Sequence, residues 1–60
     1  MADKLLFIRD VADRLGRSEA QVRWMLHQGT APKPAKIAGR LVWKESQIEA
    51  FIDAAFEEAV

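Results

Sequence analysis

The sequence predicts a mainly α-helical domain carrying one small β-hairpin, and three observations predict it. Two short stretches with helical apolar spacing lie only two residues apart, around Gly16 and Arg17. A proline-bearing segment, residues 30–35, leads into a run of Ile, Leu, Val and Trp that has Ala38-Gly39 near its centre. The chain closes on a third stretch whose apolar residues keep helical spacing. With 60 residues there is one domain, 1–60. A chain of this length buries only roughly 60% of the surface its unfolded form exposes, so its stability margin is thin.

Ile8, Val11, Ala12 and Leu15 follow the i, i+3, i+4, i+7 rule and predict a short amphipathic helix over residues 9–15. Gly16 stops it, because glycine tolerates the left-handed conformation a helix end often needs. Its start is poorly signalled: Phe7 offers no oxygen to the first amides, and Asp10 is expected to help only by its charge near the positive end of the dipole. Ser18-Glu19-Ala20-Gln21 forms a capping box, in which Ser18 accepts from the amide of Gln21 and the Gln21 side chain reaches back. A second helix follows over residues 19–28, with Val22, Met25 and Leu26 inward and Gly29 at its end.

Residues 30–35 cannot be helical, since Pro32 and Pro34 remove donors and bias their predecessors to extended conformations. Residues 36–43 then read as a hairpin reversing at Ala38-Gly39, with Leu41 and Trp43 on one face by the two-residue period. The last helix begins near Glu45 or Ser46, where Ser46-Gln47-Ile48-Glu49 repeats the capping-box pattern. Ile48, Phe51, Ile52, Ala55, Phe56 and Ala59 keep helical spacing for about three turns. That stripe is longer than the first helix can cover, which leaves Phe56 and Val60 either for a partner or as an exposed end.

Helix, two-residue turn, helix, connector, hairpin, helix is the order of a winged helix-turn-helix: helix-turn-helix, two-stranded wing, C-terminal helix. Composition narrows the function. There is no cysteine and one histidine, so neither a thiolate metal site nor a zinc site is expected. Ser18 and Ser46 sit where helix starts are expected, and no base is paired with a nucleophile, so no enzyme and no cofactor are expected. No apolar run approaches the ~20 residues of a membrane span and no leader is visible, so the expectation is a cytoplasmic protein.

The zero net charge conceals a separation. Seven of the nine basic residues fall between Arg14 and Lys44, with Glu19 the one acid among them, while the last sixteen residues hold five acids and no base. A basic patch attracts polyphosphate, and an opposite pole can attract the same patch on another copy.

In the helix-turn-helix reading the second helix lies in the major groove and the hairpin reaches the backbone or minor groove. Away from its inward stripe, that helix presents Glu19, Ala20, Arg23, Trp24 and His27, with Arg17 and Ser18 at its start. Arg23 is either a solvated charge or a contact to a base edge or phosphate. Trp24 either packs on the connector or lies flat on sugar-phosphate. His27 either covers the helix end or joins the contact. Ser18 is first a cap, but its hydroxyl and the amides behind it also make a phosphate seat. Glu19 favours the helix dipole or accepts from a cytosine amino group. In the hairpin, Gly39 and Arg40 form the tip, flanked by Lys33, Lys36 and Lys44, which point to phosphate or minor-groove contact. Binding of Z phosphates gives a log–log salt slope of about −0.9Z, steep for about four to six contacts.

Taken together, Ile8-Arg9-Asp10-Val11-Ala12-Asp13-Arg14-Leu15-Gly16, Ser18-Glu19-Ala20-Gln21-Val22-Arg23, Gly29 with Pro32, Ile37-Ala38-Gly39-Arg40, Trp43 and Ile48-Glu49-Ala50-Phe51-Ile52 resemble the excisionase and AlpA-like group within the MerR-type winged-helix superfamily. The resemblance covers about residues 5–53 and is strongest to phage excisionases, or recombination directionality factors. It implies binding of double-stranded DNA at several adjacent sites, DNA bending, and steering of a phage integrase toward excision, with no chemistry of its own. It also implies that Ser18, Arg23 and Trp24 face DNA and that Arg40 is the wing tip. Phe7, Arg14 and Val42 depart from the group's pattern, which commonly has a hydroxyl cap, a leucine and a basic wing residue there.

The charge poles then imply that copies meet head to tail on DNA, through an acidic and apolar end helix at Phe56, Glu57 and Val60. Such a heterologous contact does not close, so it makes a row. Two other readings remain: an AlpA-like transcriptional regulator on the same scaffold, and a protein-interaction module docking through the C-terminal helix.

Overall fold

A computed structural model describes residues 3–58. In chain order its elements are β1 (Leu5–Phe7), α1 (Ile8–Leu15), α2 (Glu19–Gln28), β2 (Ala35–Ile37), β3 (Arg40–Lys44) and α3 (Glu45–Glu58). The strands form one antiparallel sheet in the order β1-β3-β2, so the expected hairpin gains a third strand on its β3 edge. Leu6 pairs with Trp43 and Phe7 with Val42. Three apolar residues without alternation gave no strand signal; they are a strand because β3 offers them a ladder.

The two N-terminal helices end in the same way. Gly16 and Gly29 both adopt left-handed backbone, at φ 65° and 77°. Gly16 N–H donates to Asp13 O and Arg17 N–H to Ala12 O, while Gly29 N–H donates to Leu26 O and Thr30 N–H to Met25 O. Each pair is a Schellman closure, which satisfies carbonyls that a helix end would leave open. The start of α1 differs from expectation: Asp10 does more than supply charge, because its Oδ2 accepts from Phe7 N–H at 2.9 Å. It thereby makes half of a capping box where Phe7 cannot make the other half.

Helix α3 starts at Glu45, as the sequence predicts, but is not capped as predicted: Ser46 lies inside its first turn and does not cap it. Asp3 supplies the acceptors instead: Ser46 N–H donates to its Oδ1 at 3.2 Å and Ser46 Oγ–H to its Oδ2. Glu45 N–H donates to Lys4 O at 2.8 Å. Gln47 braces the turn, accepting from Lys44 N–H at 3.4 Å and donating to Lys33 O.

The core takes residues from five elements: Leu6, Val11, Ala12, Val22, Trp43 and Ile48, ringed by Ile8, Leu15, Leu26, Leu41 and Ile52. Each large side chain fully buried here contributes about 1.5–3 kcal/mol. Trp43 is 1% exposed, and its indole N–H donates to Pro32 O at 2.9 Å, which ties the connector to the core. Across α1 and α3, Arg14 pairs with Glu45 and lies 4.0 Å from Glu49. Arg14 is thereby engaged within the fold, although by sequence it counts toward the basic middle. No described helix is long and apolar enough to cross a membrane.

Candidate nucleic-acid interface

The capping box that opens α2 is complete: Ser18 Oγ accepts from Gln21 N–H at 3.2 Å, and Gln21 Oε1 accepts from Ser18 N–H at 3.1 Å. The box sets the helix register, and the register sets what faces outward. Val22 is wholly buried and Met25 and Leu26 are half-buried, so the opposite stripe falls on Ala20, Arg23, Trp24 and His27. These residues are spaced i, i+3, i+4, i+7 and share one face. All four are exposed. Trp24 is 58% exposed, and it is Trp43 that hydrogen-bonds the connector. Trp24 stacks on His27, with ring centroids 6.1 Å apart and planes inclined by 27°. The pair places two stacked aromatic rings at the C-terminal half of α2. Arg17 and Ser18 are exposed at its other end.

The hairpin tip is equally defined. Ile37 pairs with Arg40 across a two-residue turn in which Ala38 and Gly39 have φ 51° and 78°. Two positive φ values in succession make a type I′ turn, whose twist matches that of the flanking strands. Arg40 is thus the first residue of β3. Its guanidinium carbon sits 4.2 Å from the centroid of the Phe7 ring. The register explains the contact: Phe7 is opposite Val42, so Phe7 and Arg40 are diagonal neighbours on one face of the sheet. A cation over an aromatic face is held by the ring quadrupole, and its N–H edges stay free for a ligand.

The helix and the hairpin tip meet at a groove lined by Phe7, Ile8, Glu19, Arg23, Gly39, Arg40 and Leu41. It continues past Arg9 and Asp10 at the start of α1. Arg23 and Arg40 therefore border the same depression. Glu19 lines it with them and lies 3.9 Å from Arg9, a weak, solvent-screened pair that leaves the carboxylate accessible. Three arginines against two carboxylates, Glu19 and Asp10, leave a net positive opening that retains an acceptor for an amino group. A neighbouring hollow, lined by Lys4, Leu6, Asp10, Asp13 and Arg14, mixes acids with its bases and does not suit a polyanion.

The remaining expected residues are distributed differently. Lys33 and Lys44 border a separate hollow with Leu5, Ile37 and Val42. Lys44 is at the opposite end of β3 from Arg40, about 13 Å along the strand. Lys36 pairs with Leu41 and so leaves the sheet on the helix side, where it is exposed. Phe56 is 72% exposed and Glu57 is exposed. Val60 lies outside the described residues. Phe7 and Arg9 belong to the groove but carried no sequence signal: Phe7 reaches Arg40 only through strand pairing, and Arg9 reads as one more helix-surface charge. Among the described residues, no group of three or more His, Cys, Asp or Glu side chains could hold a metal ion.

Against known proteins, the chain matches no family model, no curated protein and no solved structure.

Proposed function

We propose that this chain is a winged helix-turn-helix protein that binds double-stranded DNA sequence-specifically and bends it. In this reading α2 enters the major groove with Arg23 toward base edges. The β2–β3 hairpin lies on the adjoining strand with Arg40 at its phosphates or minor groove. The observation that carries the reading is that Arg23 and Arg40 line one depression, together with Glu19 and Gly39. Had they faced opposite ways, no single duplex could have met both. The Trp24–His27 stack extends the same helix face and offers a flat surface for sugar-phosphate.

The biological role rests on the family resemblance. The protein acts as an excisionase: it occupies several sites beside an attachment site and directs a phage integrase toward excision. Bending a 20–30 base-pair site by 40–90° costs on the order of 1–6 kcal/mol, which contacts from several adjacent copies offset.

A titration of attachment-site DNA by fluorescence anisotropy tests the interface. Arg23→Ala should weaken binding by about 1–3 kcal/mol and relax preference at its base pair. Arg40→Ala should weaken all sequences alike and reduce the salt slope by about 1. Unchanged affinity and slope in both variants would sink the DNA reading. Recombination with integrase and attachment-site DNA then separates the roles: no effect on excision, with promoter occupancy retained, would favour the transcriptional regulator.

A further inference from the structure

The register of the sheet sends Leu6, Leu41 and Trp43 to the helices and leaves Leu5, Phe7, Val42, Ala35 and Ile37 on the other face. Val42 is buried among its neighbours, but Leu5 and Ile37 are 48% and 51% exposed. They border the hollow whose rim carries Lys33 and Lys44, and no carboxylate lines it. An apolar floor with a cationic rim selects an apolar side chain flanked by acids.

The chain carries such a group. Phe56 is 72% exposed near the end of α3, with Asp53 one turn before it and Glu57 beside it. It cannot fill the hollow of its own molecule. Gln47, from the first turn of α3, lines that hollow, and Phe56 lies nine residues farther along the same helix, about 13 Å away. The occupant must come from another molecule.

We infer that the outer face of the sheet receives the α3 end of a second copy, with Phe56 against Leu5, Ile37 and Val42, and Asp53 and Glu57 facing Lys33 and Lys44. Donor and acceptor surfaces differ, so the contact is heterologous and each added copy leaves a fresh hollow and a fresh helix end. This deepens the row expected from the charge poles by naming the surface that receives the helix. The hollow shares no lining residue with the Arg23–Arg40 groove, although Ile37 pairs with Arg40 and the two sites adjoin.

The test uses the full chain without DNA, by sedimentation velocity up to about 1 mM, because a contact this small belongs with weak encounter interfaces. The weight-average mass of the wild type should rise with concentration. Phe56→Glu and Ile37→Glu, both at exposed positions and checked for folding by circular dichroism, should each stay monomeric. Mixed together they should form a one-to-one dimer that does not grow, since one retains the hollow and the other the helix end. A wild type that stays monomeric throughout overturns the contact and leaves the hollow to another partner. A mixture as monomeric as its components overturns it too. So does an Ile37→Glu variant that associates like the wild type, which would mean that α3 ends pack on each other. With no DNA present, these failures leave the proposed DNA binding standing, and failure of the groove variants leaves this contact standing.

Discussion

At the start of α2, Ser18 and Gln21 exchange hydrogen bonds within four residues. At the start of α3 the same pattern, Ser46 to Glu49, is passed over. There the helix begins two residues earlier than a Ser46 cap would place it, Gln47 accepts from Lys44 N–H, and the acceptor for Ser46 is Asp3. The difference lies in what precedes each helix. Gly16 and Arg17 leave Ser18 extended and free to turn back on its own helix. Lys44 is still paired to Leu5 in the sheet, so β3 runs into α3 without a loop and brings the chain's N-terminal residues alongside. Where a strand runs straight into a helix, a long-range acceptor can take the place of the local serine cap. One helix start is therefore self-contained, and the other is a junction of three segments.

The largest test of that contrast is Trp43, which binds the connector beneath the junction. Trp43→Ala should cost about 3–5 kcal/mol, most of the stability a domain of this size commands, and should abolish the cooperative thermal transition. A variant that still melts cooperatively near the wild-type temperature would show that the junction is dispensable. Next, Ser18→Ala should cost about 1 kcal/mol in a denaturant titration, as expected for a self-contained cap. Ser46→Ala should cost less, although its sequence context is the same; equal losses would mean that both boxes act locally. At the hairpin, Ala38 has a left-handed backbone at φ 51°, which an alanine adopts only with strain. Ala38→Asn creates the Asn-Gly pair that type I′ turns favour and should gain about 0.5–1 kcal/mol. A loss would place the turn under another constraint.

The smallest effect is expected at exposed Asp3. The Ser46 hydroxyl, foremost, holds its carboxyl below the ordinary value of 3.8, with further help from the Ser46 amide and the Lys44 charge against the opposing effect of burial. A carboxyl lowered on folding stabilises the native state above its unfolded pKa, and that contribution is lost as pH falls through the folded value. Wild-type melting temperature should therefore drop more than that of Asp3→Asn as pH descends through and below 3.8. Parallel curves would remove Asp3 from the α3 cap.

Much of the chain was legible residue by residue. Helix α2 spans the range its capping box and glycine predict, and α1 differs only by Ile8. The Ala38-Gly39 reversal is also where the spacing puts it. These features depend on neighbours within a few positions. Strand β1 was not legible, because Leu5, Leu6 and Phe7 show neither alternation nor a turn and take their conformation from β3. The candidate site divides in the same way. Arg23, Glu19 and Arg40 stand out by residue type, but Lys33 and Lys44, which flank Arg40 in sequence, belong to a different hollow. Lys44 shares Arg40's face but lies about 13 Å away, at about 3.3 Å per residue along β3, and Lys33 precedes β2 altogether.

Taken alone, the order of amino acids determined where two helices stop, where the chain reverses, and which side of α2 is cationic and aromatic, since helical and strand periods are properties of short segments. Only tertiary structure decided that Phe7 would lie beneath the Arg40 guanidinium, that Arg14 would be tied to α3, and that Asp3 would cap a helix it does not precede. Those outcomes depend on antiparallel pairing between the two ends of the chain, and no local pattern encodes the partner of a strand.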